Sequence, residues 1–349
     1  MNDKKIENNN FSEQEIGNQS RFFHLRSGKI MKLYNTNCLK GLNLFPDNYF
    51  DVVVTSPPYN IGTSYSLYKD NIPQNKYLEF IEKVSIKIKQ KMKDNGSFFL
   101  NIGSSPSKPW IPFEIAFSLR PHFSLQNVIH WIKSIHIDNK SYDQKININI
   151  GHYKPIPGKR FLNDNHEYIF HFTKSGKIQL DRLSIGVPYK DVSNITRWGS
   201  KRRTTTINRG LRCRGNNWFN PYKTICLRDK DRPHPATFPI ELVENCIKLH
   251  GITNKNDHNT TVLDPFMGIG NTSLACHKIG VNCVGFEIDK NYYETNIKLL
   301  KSEIKTTLDI WKDNNFHNQQ DIISSKTTNK AIKKNDNLQQ TRLRKKLTK

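Results

Sequence analysis

Two short stretches carry residue types at spacings that could do chemistry. The first is Ser56-Pro57-Pro58-Tyr59, which directly follows the apolar run "DVVV" (51–54). Proline fixes φ and removes a backbone donor, so the strand stops here and the chain is held rigid and extended. At the C-terminal edge of a parallel sheet such a turn faces a ligand. The Pro57 carbonyl then has no ladder partner, and the Ser56 hydroxyl offers a second acceptor. Two acceptors side by side suit an NH₂ group. Tyr59 supplies a flat face against which a base could stack. An aromatic amine is a poor nucleophile because its lone pair is delocalised. Two acceptors can draw its hydrogens out of the ring plane and localise that pair, ready for in-line attack on an activated methyl group. Positioning and electrostatics suffice, without a covalent nucleophile.

The second stretch is "LDPFMGIGNTS" (263–273), a strand that turns through Gly268-x-Gly270 into a helix. Glycines let backbone approach a ligand closely, and a helix N-terminus favours an anionic group. Glu287 ends the next strand, where an acid binds ribose hydroxyls in nucleoside-binding folds. A third glycine at the dinucleotide spacing is absent, since Ser273 stands there. A ligand with an adenosine half and a small zwitterionic half fits better than a dinucleotide, which is S-adenosyl-L-methionine.

The surrounding elements must position these turns. "IMKLYN" (30–35) and "DVVV" read as strands, the latter buried on both faces. Tyr77, Phe80, Ile81, Val84, Ile88 and Met92 recur at helical spacing, with a stop expected at Asn95-Gly96. "SFFLNIG" (97–103), "NVIHWIK" (127–133) and "EYIFHF" (167–172) read as further strands. Pro239 opens a helix that closes near Gly251, and a helix is expected from Asn291 toward Trp311. Strand–helix–strand alternation predicts a parallel sheet. Residues 1–28 are polar and lack apolar periodicity, so they read as a disordered lead-in, as does 313–349. The aperiodic loop 61–75 after the catalytic turn is expected to be mobile and to close over the bound base.

The chain of 349 residues has a formal net charge of +23, which suits a polyanionic partner. Roughly half of that excess lies between residues 173 and 232, interleaved with Trp198, Trp218, Phe219 and Tyr222. Arg197, Lys201, Arg202, Arg203, Arg209, Arg212 and Arg214 are the candidate DNA contacts. The six cysteines include no CxxC pair, so no metal site is expected. No apolar run reaches the roughly 20 residues of a membrane span, and a cytoplasmic location is expected.

Taken together, the chain resembles the DNA amino-methyltransferases of the beta arrangement, in which the Ser-Pro-Pro-Tyr motif precedes a target-recognition insert and the cofactor motif comes last. The resemblance rests on "LYNTNCLKGLNLFPDNYFDVVVTSPPYN" (33–60), "DRPHPATFPIELVENCIKL" (231–249) and "TVLDPFMGIGNTSLACHKIGVNCVGFEID" (261–289). It implies a Rossmann-like α/β fold, mostly parallel with helices on both faces. The implied order is a catalytic half (29–172), a basic recognition insert (173–232) and a cofactor half (233–312). Ser56, Pro57, Pro58 and Tyr59 would hold a flipped base. Asp264, Phe266, Gly268 and Gly270 would shape the cofactor pocket, and Glu287 would bind ribose. Thr237 and Phe238 would lie near the methionine end, and Asn37 near adenine. Asn37 departs from the family, which often has Gly-Asp where this chain has Thr36-Asn37. Within the family, Ser-Pro-Pro-Tyr goes mostly with the N4 amine of cytosine and Asp-Pro-Pro-Tyr with the N6 amine of adenine.

The expected function is therefore methylation of cytosine N4 in double-stranded DNA from S-adenosyl-L-methionine, alongside a cognate restriction endonuclease. Adenine N6 is the alternative base. An RNA or protein amide methyltransferase fits the basic insert poorly, and intact motifs speak against a non-catalytic DNA-binding protein on a decayed fold. The recognition sequence, the presence of a partner endonuclease and the choice of monomer or dimer stay open.

Overall fold

The computed structural model describes residues 6–8, 11–15, 20–25, 27–133, 135–138, 147–150, 159–160, 162, 164–189, 210–220, 237–251 and 259–306. The chain divides into two compact units, Met1–Leu300 and Lys301–Lys349. The strands and helices named below lie in the first. Arg197, Lys201, Arg202, Arg203 and Arg209 fall outside the described residues, as does the tail from 313.

Five strands run parallel through the centre: β4 (Ile30–Asn35), β15 (Asn282–Glu287), β14 (Thr261–Asp264), β5 (Phe50–Thr55) and β6 (Met92–Ile102), in that spatial order. Val52, Val53 and Val54 of β5 are all buried, as a strand covered on both faces requires. Val53 joins one core cluster with Leu42 of α1 (Cys38–Leu42), Tyr77, Ile81, Val84 and Ile88 of α2 (Gln74–Lys91), and Ile111 and Ile115 of α3 (Ile111–Leu119). Val52 and Val54 point the other way, toward the face where α4 (Ile240–His250) lies against β5 and β6. There α4 packs on α5 (Asn271–Ile279).

Antiparallel strands flank this centre and make the sheet mixed. β10 (His166–Thr173) runs antiparallel between β6 and β7 (Ser124–Ile132). On the other side β1 (Ile6–Asn8), β2 (Phe11–Glu15) and β3 (Ser20–Leu25) extend β4 as an antiparallel ribbon. β8 (Ile135–Asp138) and β9 (Asn147–Ile150) pair separately.

Three expectations need correction. Residues 1–28 are not an unstructured lead-in throughout, because β3 pairs with β4 and buries Phe23 and Leu25. The short apolar run "RFFHL" was too brief to stand out from its polar surroundings. Helix α2 ends at Lys91 rather than at Asn95-Gly96, and Met92, buried, opens β6 opposite Phe50, with a register shift before the next pair, Val52 with Ser97. The region 173–232 is not wholly a separate insert. Its β13 (Asn217–Phe219) pairs parallel with β7, and Trp218 is buried. A second short pair, β11 (Val187–Pro188) with β12 (Leu211–Arg212), lies in the same region. Of the described candidate DNA contacts, Arg212 is exposed in β12 and Arg214 follows it, half-buried.

Candidate active site

All five central strands point their C-terminal ends to one edge. There a cavity of about 200 Å³ opens, lined among others by Asn37, Ser56–Tyr59, Tyr65–Tyr68, Thr237, Phe238, Phe266–Asn271 and Glu287. Both motifs thus face one space, as the order of strands predicts.

The glycine turn shapes one end. Gly268 and Gly270 have φ of 55° and 91°, the left-handed region that glycine tolerates. A side chain at Gly270 would collide with Asn296. Phe266 meets Phe80 edge to face at 6.0 Å, so packing and cavity lining coincide in it. Asp264 shapes the pocket from beneath instead of facing it. Its carboxylate accepts from Thr55 Oγ1 (2.6 Å), Thr272 Oγ1 (2.6 Å) and the Phe266 amide (3.0 Å). Burial raises its pKa to about 6 despite those bonds. Glu287 does line the cavity. It accepts from the Gly268 amide (2.8 Å) and the Asp289 amide (2.8 Å), leaving lone pairs for ligand hydroxyls. Burial lifts its pKa to about 7. Asn37 caps α1 by accepting from the Leu39 amide at 2.9 Å, which leaves its amide protons available to the cavity. Thr237 lines the cavity beside Phe238, whose carbonyl accepts from Asn271 Nδ2 at 2.6 Å and so ties that segment to the start of α5.

The Ser-Pro-Pro-Tyr turn shapes the other end. The Tyr77 hydroxyl donates to the Pro58 carbonyl at 2.7 Å. Among the described residues no donor reaches the Pro57 carbonyl, which remains an open acceptor. Ser56 Oγ lies 2.7 Å from the Tyr59 hydroxyl. Tyr59 in turn donates to Glu167 Oε2 at 2.8 Å. Asn101 Nδ2 reaches Glu167 Oε2 (2.6 Å), Tyr59 (2.7 Å) and Ser56 (3.3 Å). Lys133 pairs with the other oxygen of Glu167. Gly103 packs against the Tyr59 ring, where a side chain would come within 2.8 Å of Cε2. Tyr59 therefore does more than offer a face, because its hydroxyl is the junction of a polar network.

Asn101, Glu167 and Lys133 were missed from the sequence. The available signal was a lone amide inside the apolar strand "FFLNIG" and an acid at the head of "EYIFHF". Each sits at a strand end beside the turn, but their meeting depends on β10 running between β6 and β7. The loop after the turn is anchored at one point. Its base is fastened by Asp70, buried, which accepts from the amides of Asn60 (2.6 Å), Ile61 (3.2 Å) and Thr63 (2.9 Å). Asn60, at φ 59°, closes the clamp through Ile72. Tyr65, Ser66, Leu67 and Tyr68 at the tip line the cavity, and Ser66 donates to Asp289.

A parallel-centred sheet with helices on both faces, carrying the glycine turn and the Ser-Pro-Pro-Tyr turn at one edge, is a Rossmann-like methyltransferase fold. Residues 50–298 match the family model for DNA methylases, and the chain belongs to that family, the N4/N6 DNA amino-methyltransferases. Its methyl donor is S-adenosyl-L-methionine. The chain is similar to the type II methyltransferase M.BglII of Bacillus subtilis, with 26% identity over 83% of this chain and 72% of that one. It is also similar to M.HpaI of Haemophilus parainfluenzae, with 28% identity over 78% of this chain and 74% of that one. Among solved structures, the PvuII DNA methyltransferase (cytosine-N4-specific) shares the fold with a TM-score of 0.53 at 16% identity, covering 80% of this chain and 93% of that chain.

Proposed function

We propose that this DNA amino-methyltransferase transfers its methyl group to N4 of a flipped cytosine in duplex DNA. The observation that carries the reading is the Ser56 hydroxyl, which stands beside the open Pro57 carbonyl where an adenine-type site would place a carboxylate. Ser56 and Pro57 accept hydrogen bonds from the two amine hydrogens and so localise the nitrogen lone pair. S-adenosyl-L-methionine, when bound, would supply an electrophilic sulfonium methyl group whose S–C bond breaks as the N–C bond forms, releasing the thioether and one amine proton. Glu287 holds the ribose hydroxyls, Asn37 the adenine edge, and Phe266, Gly268 and Gly270 the walls. Thr237 and Phe238 take the methionine end. Flipping costs a few kcal/mol, offset by phosphate contacts from the basic region 173–232, including Arg212 and Arg214. The type II names of its relatives support a place as the modification half of a restriction–modification pair.

The test is direct. Plasmid DNA from a methylation-free host is incubated with the protein and labelled S-adenosyl-L-methionine, then digested to nucleosides and weighed. 4-Methylcytosine is the expected product. 6-Methyladenine would overturn the choice of base, and label absent from DNA would overturn the activity.

A further inference from the structure

The polar groups beneath the catalytic turn have donor capacities that fix the direction of every bond between them. Glu167, ion-paired with Lys133, can only accept as a carboxylate. The Tyr59 hydroxyl, 2.8 Å from Glu167 Oε2, therefore gives its single proton there. The Asn101 amide nitrogen can only donate, and its two protons go to the nearer acceptors, Glu167 (2.6 Å) and Tyr59 (2.7 Å), ahead of Ser56 at 3.3 Å. Turning that amide over would set its carbonyl oxygen against the carboxylate, so the assignment stands. With its proton committed, the Tyr59 oxygen accepts from every other neighbour. The 2.7 Å contact between Ser56 and Tyr59 consequently runs from Ser56 to Tyr59. The one proton of Ser56 is then taken, and its oxygen presents only a lone pair to the cavity.

We propose that Glu167, acting through Tyr59, is a positioning residue that fixes Ser56 as an obligate acceptor, so that the site reads an exocyclic amine and rejects a carbonyl at the same ring position. A free serine hydroxyl donates to a carbonyl as readily as it accepts from an amine. Cytosine and uracil differ at ring position 4 in that one respect. The polarity of the Ser56 hydroxyl thus becomes the discriminating feature at that position, and it is set by an acid two hydrogen bonds away. The inference rests on the proposed reading that Ser56 holds the target amine.

Glu167→Gln unlocks the chain. Lys133 draws the glutamine carbonyl oxygen to its own side, which leaves the NH₂ facing Tyr59 and the Asn101 amide, so Asn101 must turn over. No carboxylate then holds the Tyr59 proton, and Ser56 is free to donate into the cavity as well as to accept. Three measurements test this after the methylated site has been mapped by sequencing. Turnover should fall about 10²-fold in Glu167→Gln, with the affinity for S-adenosyl-L-methionine unchanged. Tyr59→Phe removes the link, so the double variant should be no slower than the slower single one. Binding is compared on duplexes carrying cytosine or uracil at the target, each opposite an abasic position. The native protein should prefer cytosine by about tenfold or more, as expected for a site whose polar group is left unpaired by the wrong partner, and both variants should lose the preference. Additive losses in the double variant, or a cytosine preference retained in Glu167→Gln, would overturn the inference. If that variant does not fold, the preference of Tyr59→Phe decides alone. Ser56→Ala separates the two levels. Native turnover in Ser56→Ala would overturn the reading of the site itself, whereas a slow Ser56→Ala beside a native-like Glu167→Gln would overturn only the role of Glu167.

Discussion

If Glu287 holds ribose as proposed, its protonation sets how cofactor binding responds to acid. Its pKa, raised to about 7 mainly by burial, means that below neutral pH the carboxyl becomes a weaker acceptor for ribose hydroxyls. Affinity for S-adenosyl-L-methionine should fall as pH drops through 7, which calorimetry between pH 5.5 and 8 would show. A flat profile would remove Glu287 from ribose binding. Asp264, with a pKa of about 6, shifts in the same direction. Both groups hold protons in the folded chain that the unfolded chain has already released between pH 4 and 7. Their contribution to stability is therefore full on the acid side and declines as pH rises through that window, by about 3 kcal/mol for each group. Asp264→Asn should flatten the fall in the ligand-free protein by about that amount, measured by denaturant unfolding at both ends of the window. An unchanged slope would rule out Asp264 as a source.

At the scale of elements, what was legible in the sequence followed local period and local chemistry. β5 could be read because three buried valines need no context, and α2 because its apolar stripe repeats at helical spacing. The glycine turn was legible through Gly268 and Gly270, whose backbone conformations few other residues adopt. β2, "FSEQE", was not legible, because a strand in an edge ribbon is defined by its pairing with β3 and not by its own composition. Asn101 and Glu167 were invisible as partners for the same reason, since they meet across strands separated by 66 positions. The Asp70 clamp is another such tertiary feature, and it gives a prediction. Asp70→Ala strips three backbone amides of their acceptor at a cost of about 1–3 kcal/mol or more. The loop 61–70 should become readily cleaved in limited proteolysis, and turnover should fall as the cavity wall loosens. Native-like resistance would mean that the clamp does not hold the loop. Gly270→Ala should act more severely, because the left-handed φ and the Asn296 side chain both oppose a Cβ. Loss of cofactor binding together with a lowered Tm is expected.

For the whole molecule the net charge of +23 sets the dominant response to salt. Affinity for DNA should fall linearly with the logarithm of salt concentration, with a slope near −0.9 for each phosphate neutralised. Replacing Arg212 and Arg214 with glutamine should make that slope shallower by up to about 2, read by fluorescence anisotropy on plasmid fragments. An unaltered slope would place the phosphate contacts elsewhere. The order of strands has a different consequence. β14 and β15 lie between β4 and β5, yet more than 200 residues separate Asp51 from its partner Thr261. During synthesis the ribosome delivers β4 and β5 long before the strands that must wedge between them. Two bare sheet edges therefore wait on the nascent chain. A ribosome-stalled product ending near residue 250 should remain protease-sensitive and engage chaperones, and compaction should arrive abruptly once residue 287 clears the exit tunnel.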